Sequence, residues 1–177
     1  ITQIHNITYM NFFISPLCNS ILNKEITVNP MSKFGFHDTT ISTNIVNLKQ
    51  DLDILLQNLS IGTTRNIKTA LKSGFITKMY DQKNITKHIF DVYKGIHFEA
   101  AGRKTRPEKT WNIMFDWLEQ GLSVLAVTER EGEYVSAQLI NTFGTKAFYQ
   151  SGATKQCYDR EKGVGHLAQW EIIKYLK

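Results

Sequence analysis

Residues 158–173 read YDREKGVGHLAQWEII. Charge comes first, then two glycines one residue apart, then an apolar run two helical turns long. The first N–H groups of a helix have no internal partners. Together with the helix dipole they favour an anion. In the pattern R-x-x-G-x-G, Gly163 and Gly165 let a phosphate approach the backbone, and Arg160 adds a charge-assisted hydrogen bond. His166, in the first turn, reads either as a donor to a phosphate or a carbonyl or as a packing residue. The same spacing also suits a helix that packs closely on a neighbour, with Gly165 as the contact. The surrounding elements therefore have to be read.

Upstream of the motif lie three strand-like runs, residues 122–129, 133–143 and 146–153, joined by short turns at Gly132 and Gly144. Before them the pattern is helical. Leu48, Leu52, Leu55, Leu56 and Leu59 share one face. A second helix takes Thr63 or Thr64 as N-cap and Gly74 as the residue that ends it. A short strand is expected over 75–80. A third helix starts near Asn84, carries Ile85, Ile89, Val92, Tyr93, Ile96 and Ala100 on one stripe, and stops at Gly102. A fourth follows GRKTRPEKTW. Thr105 and Glu108 have capping-box spacing there, Pro107 sits in the first turn, and Gly121 closes the helix. Residues 1–47 are rich in Asn, Ile and Thr and have weak periodicity, with short strands expected near 7–14 and 41–46. The division expected is an irregular segment 1–47 and a domain over 48–177.

The chain has 177 residues, 42% hydrophobic and 21% charged, which is a globular balance. Its formal charge of +5 and pI near 9.2 favour an anionic partner. Cys18 and Cys157 are far apart and lack metal-ligand spacing, so neither a zinc site nor a disulfide framework is expected. No apolar run approaches the roughly 20 residues of a membrane span, and the stretch 10–18 lacks a basic flank and is broken by Pro16, unlike a signal peptide.

Several residues carry candidate chemistry. His97 lies at the edge of an apolar stripe one turn before a basic loop, either as a core histidine or as a general base for an incoming amine. Tyr149, on the third strand of the meander, reads either as a strand tyrosine with a satisfied hydroxyl or as the group that protonates a leaving group or orients a donor. Arg103 and Arg106 sit where positive charge opposes the dipole of the following helix, a broken local rule that points to an anionic substrate. Arg65, Lys68 and Lys72 make a basic stripe. It is read as a solvated face or as a contact with phosphates of tRNA or a lipid carrier.

A β-meander followed by R-x-x-G-x-G and a helix resembles the pyrophosphate turn of the GNAT N-acetyltransferase superfamily. In that superfamily the motif follows its strand almost directly, whereas about six residues, 154–159, intervene in this sequence. A resemblance to the FemAB-like family covers more of the chain. LKQDLDILLQNLSIGTTRNIKTALKSGF, HFEAAGRKTRPEKTWNIMFDWLEQG, AFYQSGAT and GVGHLAQWEIIKYLK resemble its successive segments, in order, over residues 48–177.

The resemblance implies an α+β fold of GNAT type, with a mainly antiparallel sheet flanked by helices. It also implies one half of a two-half protein, cut before its last strands. The implied activity is transfer of an acyl or aminoacyl group from acyl-CoA or aminoacyl-tRNA, used as co-substrate with no tightly bound cofactor. The implied acceptor is an amine of a cell-envelope precursor or amino sugar, small or lipid-linked, met in the cytoplasm at the inner membrane surface. An unsatisfied sheet edge in such a fragment leads us to expect a homo-oligomer. Two other readings stand beside this one. The first is a nucleic-acid-binding module that stacks bases on Tyr134, Phe143, Phe148 and Tyr149. The second is an acyltransferase-like scaffold without activity.

Overall fold

The computed structural model describes residues 29–39, 43–158, 161 and 163–177. Contacts divide the chain into units 1–46 and 47–177. In the first unit the Asn29 side chain accepts from the Met31 N–H and caps a 3₁₀ turn, Pro30–Phe34. Gly35 ends it in the left-handed region. The strand expected near 41–46 is not formed in its described part, 43–46, and the one near 7–14 lies outside the described residues.

The second unit begins with helices α1 (Leu52–Gln57) and α2 (Ile61–Lys72) and strand β1 (Ile76–Tyr80). Helices α3 (Lys87–Ala101) and α4 (Glu108–Glu119) follow. The meander is β2 (Ser123–Arg130), β3 (Glu133–Phe143) and β4 (Lys146–Thr154), and α5 (Val164–Leu176) comes last. The sheet order is β1-β2-β3-β4, antiparallel throughout. The hairpin between β2 and β3 turns on Glu131 and Gly132 with φ of 53° and 83°, the two positive angles that a tight right-twisted hairpin needs.

Three helix starts differ from the sequence reading. Ser60, not Thr63 or Thr64, caps α2, because its hydroxyl accepts from the Thr63 N–H at 3.1 Å. The third helix starts after Thr86 rather than at Asn84. The Asn84 side chain is engaged in a turn, accepting from the Asp81 N–H at 2.7 Å and donating to the Met79 carbonyl at 3.1 Å. The capping box expected at Thr105 is not made: Pro107 is the N-cap residue of α4, without a side-chain cap, and the Thr105 hydroxyl meets Arg106 at 3.5 Å.

Apolar alternation puts a core on each face of the sheet. On one face Leu125, Val127, Ala137 and Leu139 pack on Phe90, Tyr93 and Ile96 of α3 and on Trp111, Met114 and Leu118 of α4. On the other, Val124, Ala126 and Ile140 meet Ile172 of α5, and Val135 joins Leu55, Ile67, Val164, Leu167 and Trp170. The sheet therefore packs against the three main helices, as their apolar stripes require.

Two register shifts set the aim of individual side chains. Glu129 pairs with Tyr134 and Thr128 with Ser136, so Val135 is the extra residue of a bulge. Ile140 pairs with Tyr149 and Leu139 with Ser151, so Gln150 is the extra residue of a second. A bulge flips the facing of everything beyond it.

Candidate functional site

The second bulge assembles the site. Without it, Tyr149 and Ser151 would face the same way. With it, Ser151 faces α3, where its hydroxyl lies 2.6 Å from that of Tyr93. Tyr149 takes the Ile140 side and lies beside Gln138 of β3. Gly152, paired with Gln138, makes the room. A Cβ there would collide with the Tyr149 hydroxyl and fall 2.9 Å from Gln138 Cγ.

A cleft of about 550 Å³ opens at this edge of the sheet. His97 lines it from α3, Tyr149 and Thr154 from β4, Ser136 and Gln138 from β3, and Gly165 from α5. The fold thus brings three of the sequence-read residues, His97, Tyr149 and Gly165, to one cavity. The polar residues that complete it were missed. Ser136 and Gln138 alternate inside the apolar run VSAQL, and two polar residues at strand period on an otherwise buried face were the available signal.

His97 is only 8% exposed, and its ring packs edge-on against Tyr93 at 4.8 Å and near Trp111 at 5.6 Å. Burial, helped by the positive charge of Arg106, lowers its pKa to about 4, so it is neutral at pH 7. Its Nε2 and the Trp111 Nε1 are buried without a hydrogen-bond partner among the described residues. Arg106 stacks over the Trp111 ring at 4.9 Å. Burial raises the pKa of Tyr149, and it pushes that of Tyr93 up to about 12 against the opposing pull of the Ser151 hydrogen bond. The cleft thus offers hydroxyls, an amide and a neutral imidazole, a set suited to orienting a carbonyl and passing a proton.

The other sequence-read residues are dispersed. Arg103 is exposed in the loop before α4, and Arg65, Lys68 and Lys72 are exposed along α2. Arg160 and Lys162, the charges of the opening motif, lie outside the described residues. Lys155, just upstream of the motif, pairs with Glu133 at 2.8 Å, and Glu161 pairs with Arg130 at 3.0 Å. His166 is exposed and lines a separate, apolar groove. The contact glycine is Gly163 rather than Gly165. Gly163 precedes α5 with φ of 101°, and a Cβ there would overlap the Asn66 carbonyl of α2, 2.7 Å from its carbon. At Gly165 the nearest atom to such a Cβ is Gln138 Nε2 at 4.0 Å. The aromatic residues read as a stacking platform are split: Tyr134 packs on the α3/α4 core, while Tyr149 takes the α5 side. Among the described residues no group of His, Cys, Asp or Glu converges to hold a metal, and no helix is long and apolar enough to cross a membrane.

No family model and no curated protein matches this chain. Solved structures do. The crystal structure of FemX matches with a TM-score of 0.58 at 17% identity, covering 73% of this chain and 48% of that one. L-PGS from Bacillus licheniformis matches with a TM-score of 0.50 at 11% identity, covering 68% of this chain and 39% of that one. The chain therefore spans less than half the length of either. The fold is the one these structures share with this chain over a segment of their own length, an antiparallel sheet flanked by helices, as the FemAB-like resemblance implied.

Proposed function

We propose that the unit 47–177 belongs to an acyl- or aminoacyltransferase. In this reading it moves an acyl group from acyl-CoA or aminoacyl-tRNA to an amine of a cell-envelope precursor or amino sugar. The observation that carries this reading is the bulge at Gln150, which turns the Tyr149 hydroxyl toward Gln138 in a cleft of a FemX-like fold. A bulge beside a cleft that re-aims one polar side chain is a feature with a purpose other than sheet stability.

The chemistry is simple to balance. The amine nitrogen attacks the carbonyl carbon of the ester or thioester. A C–N bond forms, and the bond to the donor oxygen or sulfur breaks. The departing atom takes a proton from the Tyr149 hydroxyl, and the proton lost by the amine restores that hydroxyl. Because burial raises the pKa of Tyr149, its proton is held at pH 7 until the leaving group demands it. His97 is a weak base with a pKa of about 4. Its role is that of a neutral hydrogen-bonding group beside the acceptor, and the amine enters already deprotonated. Gln138, on the neighbouring strand, is placed to hold the carbonyl oxygen in line.

The test is a transfer assay that supplies acyl-CoA or aminoacyl-tRNA as donor and an amino sugar as acceptor. Tyr149→Phe should lower kcat by about 10²–10⁴ while leaving the donor KM near that of the wild type. An unchanged kcat would remove Tyr149 from the mechanism. Tight donor binding with no transfer from either donor would favour the inactive scaffold.

A further inference from the structure

A second cavity of about 300 Å³ lies between α2 and α5. Leu59, Ile67, Trp170 and Ile173 form its apolar walls, and Thr63 and His166 stand in its lining. Gln138 and Gly165 line this groove and the cleft alike. The two cavities therefore adjoin at these residues, where Gln169 Nε2 donates to Gln138 Oε1 at 2.6 Å. Among the described residues, no Lys, Arg, Asp or Glu lines the groove.

We infer that this groove takes a linear aliphatic group of about six to eight carbons, attached to the reacting end of a substrate held at the Gln138–Gly165 junction. The inference rests on the transferase reading and deepens it, because it names the class of group that the site selects. The volume sets the length. It admits about ten water-sized groups, fewer once its open mouth is allowed for. The apolar walls of Leu59, Ile67, Trp170 and Ile173 set the chemistry, since an aliphatic chain leaves water on entering, whereas a cationic or anionic tail would lose its hydration against them. Gly165 sets the route. Any side chain at that position would stand at the junction, and α5 keeps glycine there although its backbone does not need one. The chain arrives with either the acyl donor or the amine acceptor, and the same groove serves both.

Trp170 gives a direct readout, because a bromoalkyl chain in the groove quenches its fluorescence. The probes are the N-methylamide of 6-bromohexanoic acid, for the donor side, and 6-bromohexylamine, for the acceptor side. Saturable quenching by either, tightening about fourfold per added methylene from four to eight carbons, is the expected result. The probe that binds identifies the source of the chain. Gln169→Phe, at an exposed position, and Thr63→Phe, at a half-buried one, should each weaken binding at least fivefold by filling the groove. Trp170→Phe should abolish the signal. Absence of saturable quenching by both probes overturns the inference, as does equal affinity in both groove-filling variants. Groove binding in a chain without transfer activity refutes the transferase reading and leaves the groove standing. Transfer without groove binding does the reverse.

Discussion

Gly163→Ala is the sharpest test of how the opening motif works. Gly163 has a φ of 101°, which an L side chain rarely adopts. Holding a non-glycine residue in such a region costs about 1–3 kcal/mol. A methyl group would also overlap the Asn66 carbonyl, so α2 and α5 must separate. Those helices share Ile67, Val164, Leu167 and Trp170 in one cluster, and overpacking a core of this kind costs about 1–3 kcal/mol more. The sum is about 2–6 kcal/mol, a loss of roughly 5–20 °C in Tm for a chain of this size. Gly165→Ala is the internal control. Its new methyl group meets nothing closer than 4.0 Å, and alanine is up to about 1 kcal/mol better than glycine in a helix. Urea denaturation followed by circular dichroism should therefore move the midpoint down for Gly163→Ala and leave it level or raise it for Gly165→Ala. Equal destabilisation by the two would refute the assignment of Gly163 as the packing glycine.

His97 makes stability depend on pH. Its folded pKa of about 4 lies below the ordinary value of 6.5, so the unfolded chain binds the proton first. The contribution is full above pH 6.5 and is lost as pH falls toward 4. It amounts to about 2 kcal/mol once water reaching the ring from the cleft is allowed for, and His97→Asn should flatten this part of the pH profile in denaturant titrations. Tyr93→Phe removes the 2.6 Å contact with Ser151 and should cost about 1 kcal/mol, read by the same denaturation; a neutral result would mean that solvent replaces the bond. Strand β4 ends the sheet among the described residues, with Phe148 and Tyr149 half-exposed. Concentration-dependent self-association is therefore expected in sedimentation, and a monomer at high concentration would count against it.

What was legible in the sequence follows from what is local. The meander was readable because Gly132 and Gly144 punctuate runs with strand period, and α3 because its apolar stripe and Gly102 agree. The helix starts were less legible. Several hydroxyl residues compete for each cap, and only the turn geometry around Ser60, Thr86 and Pro107 decides among them. The site was least legible. His97 and Tyr149 could be named as residue types, but nothing in their spacing says that they line one cavity. That outcome depends on one unpaired residue, Gln150, which reverses the facing of Tyr149 relative to Ser151. A bulge has no composition signal of its own here, since QSG reads as ordinary strand followed by glycine. The glycine carries the clue in retrospect. Gly152 sits opposite Gln138 because the Tyr149 hydroxyl occupies the place of its side chain. The same logic separates the two glycines of the opening motif. Gly163 is fixed by the fold, through a backbone angle and a neighbouring carbonyl, whereas Gly165 has space around it and borders both cavities. A glycine that the fold does not require, at the junction of a polar cleft and an apolar groove, is better explained by what must pass it than by what packs on it.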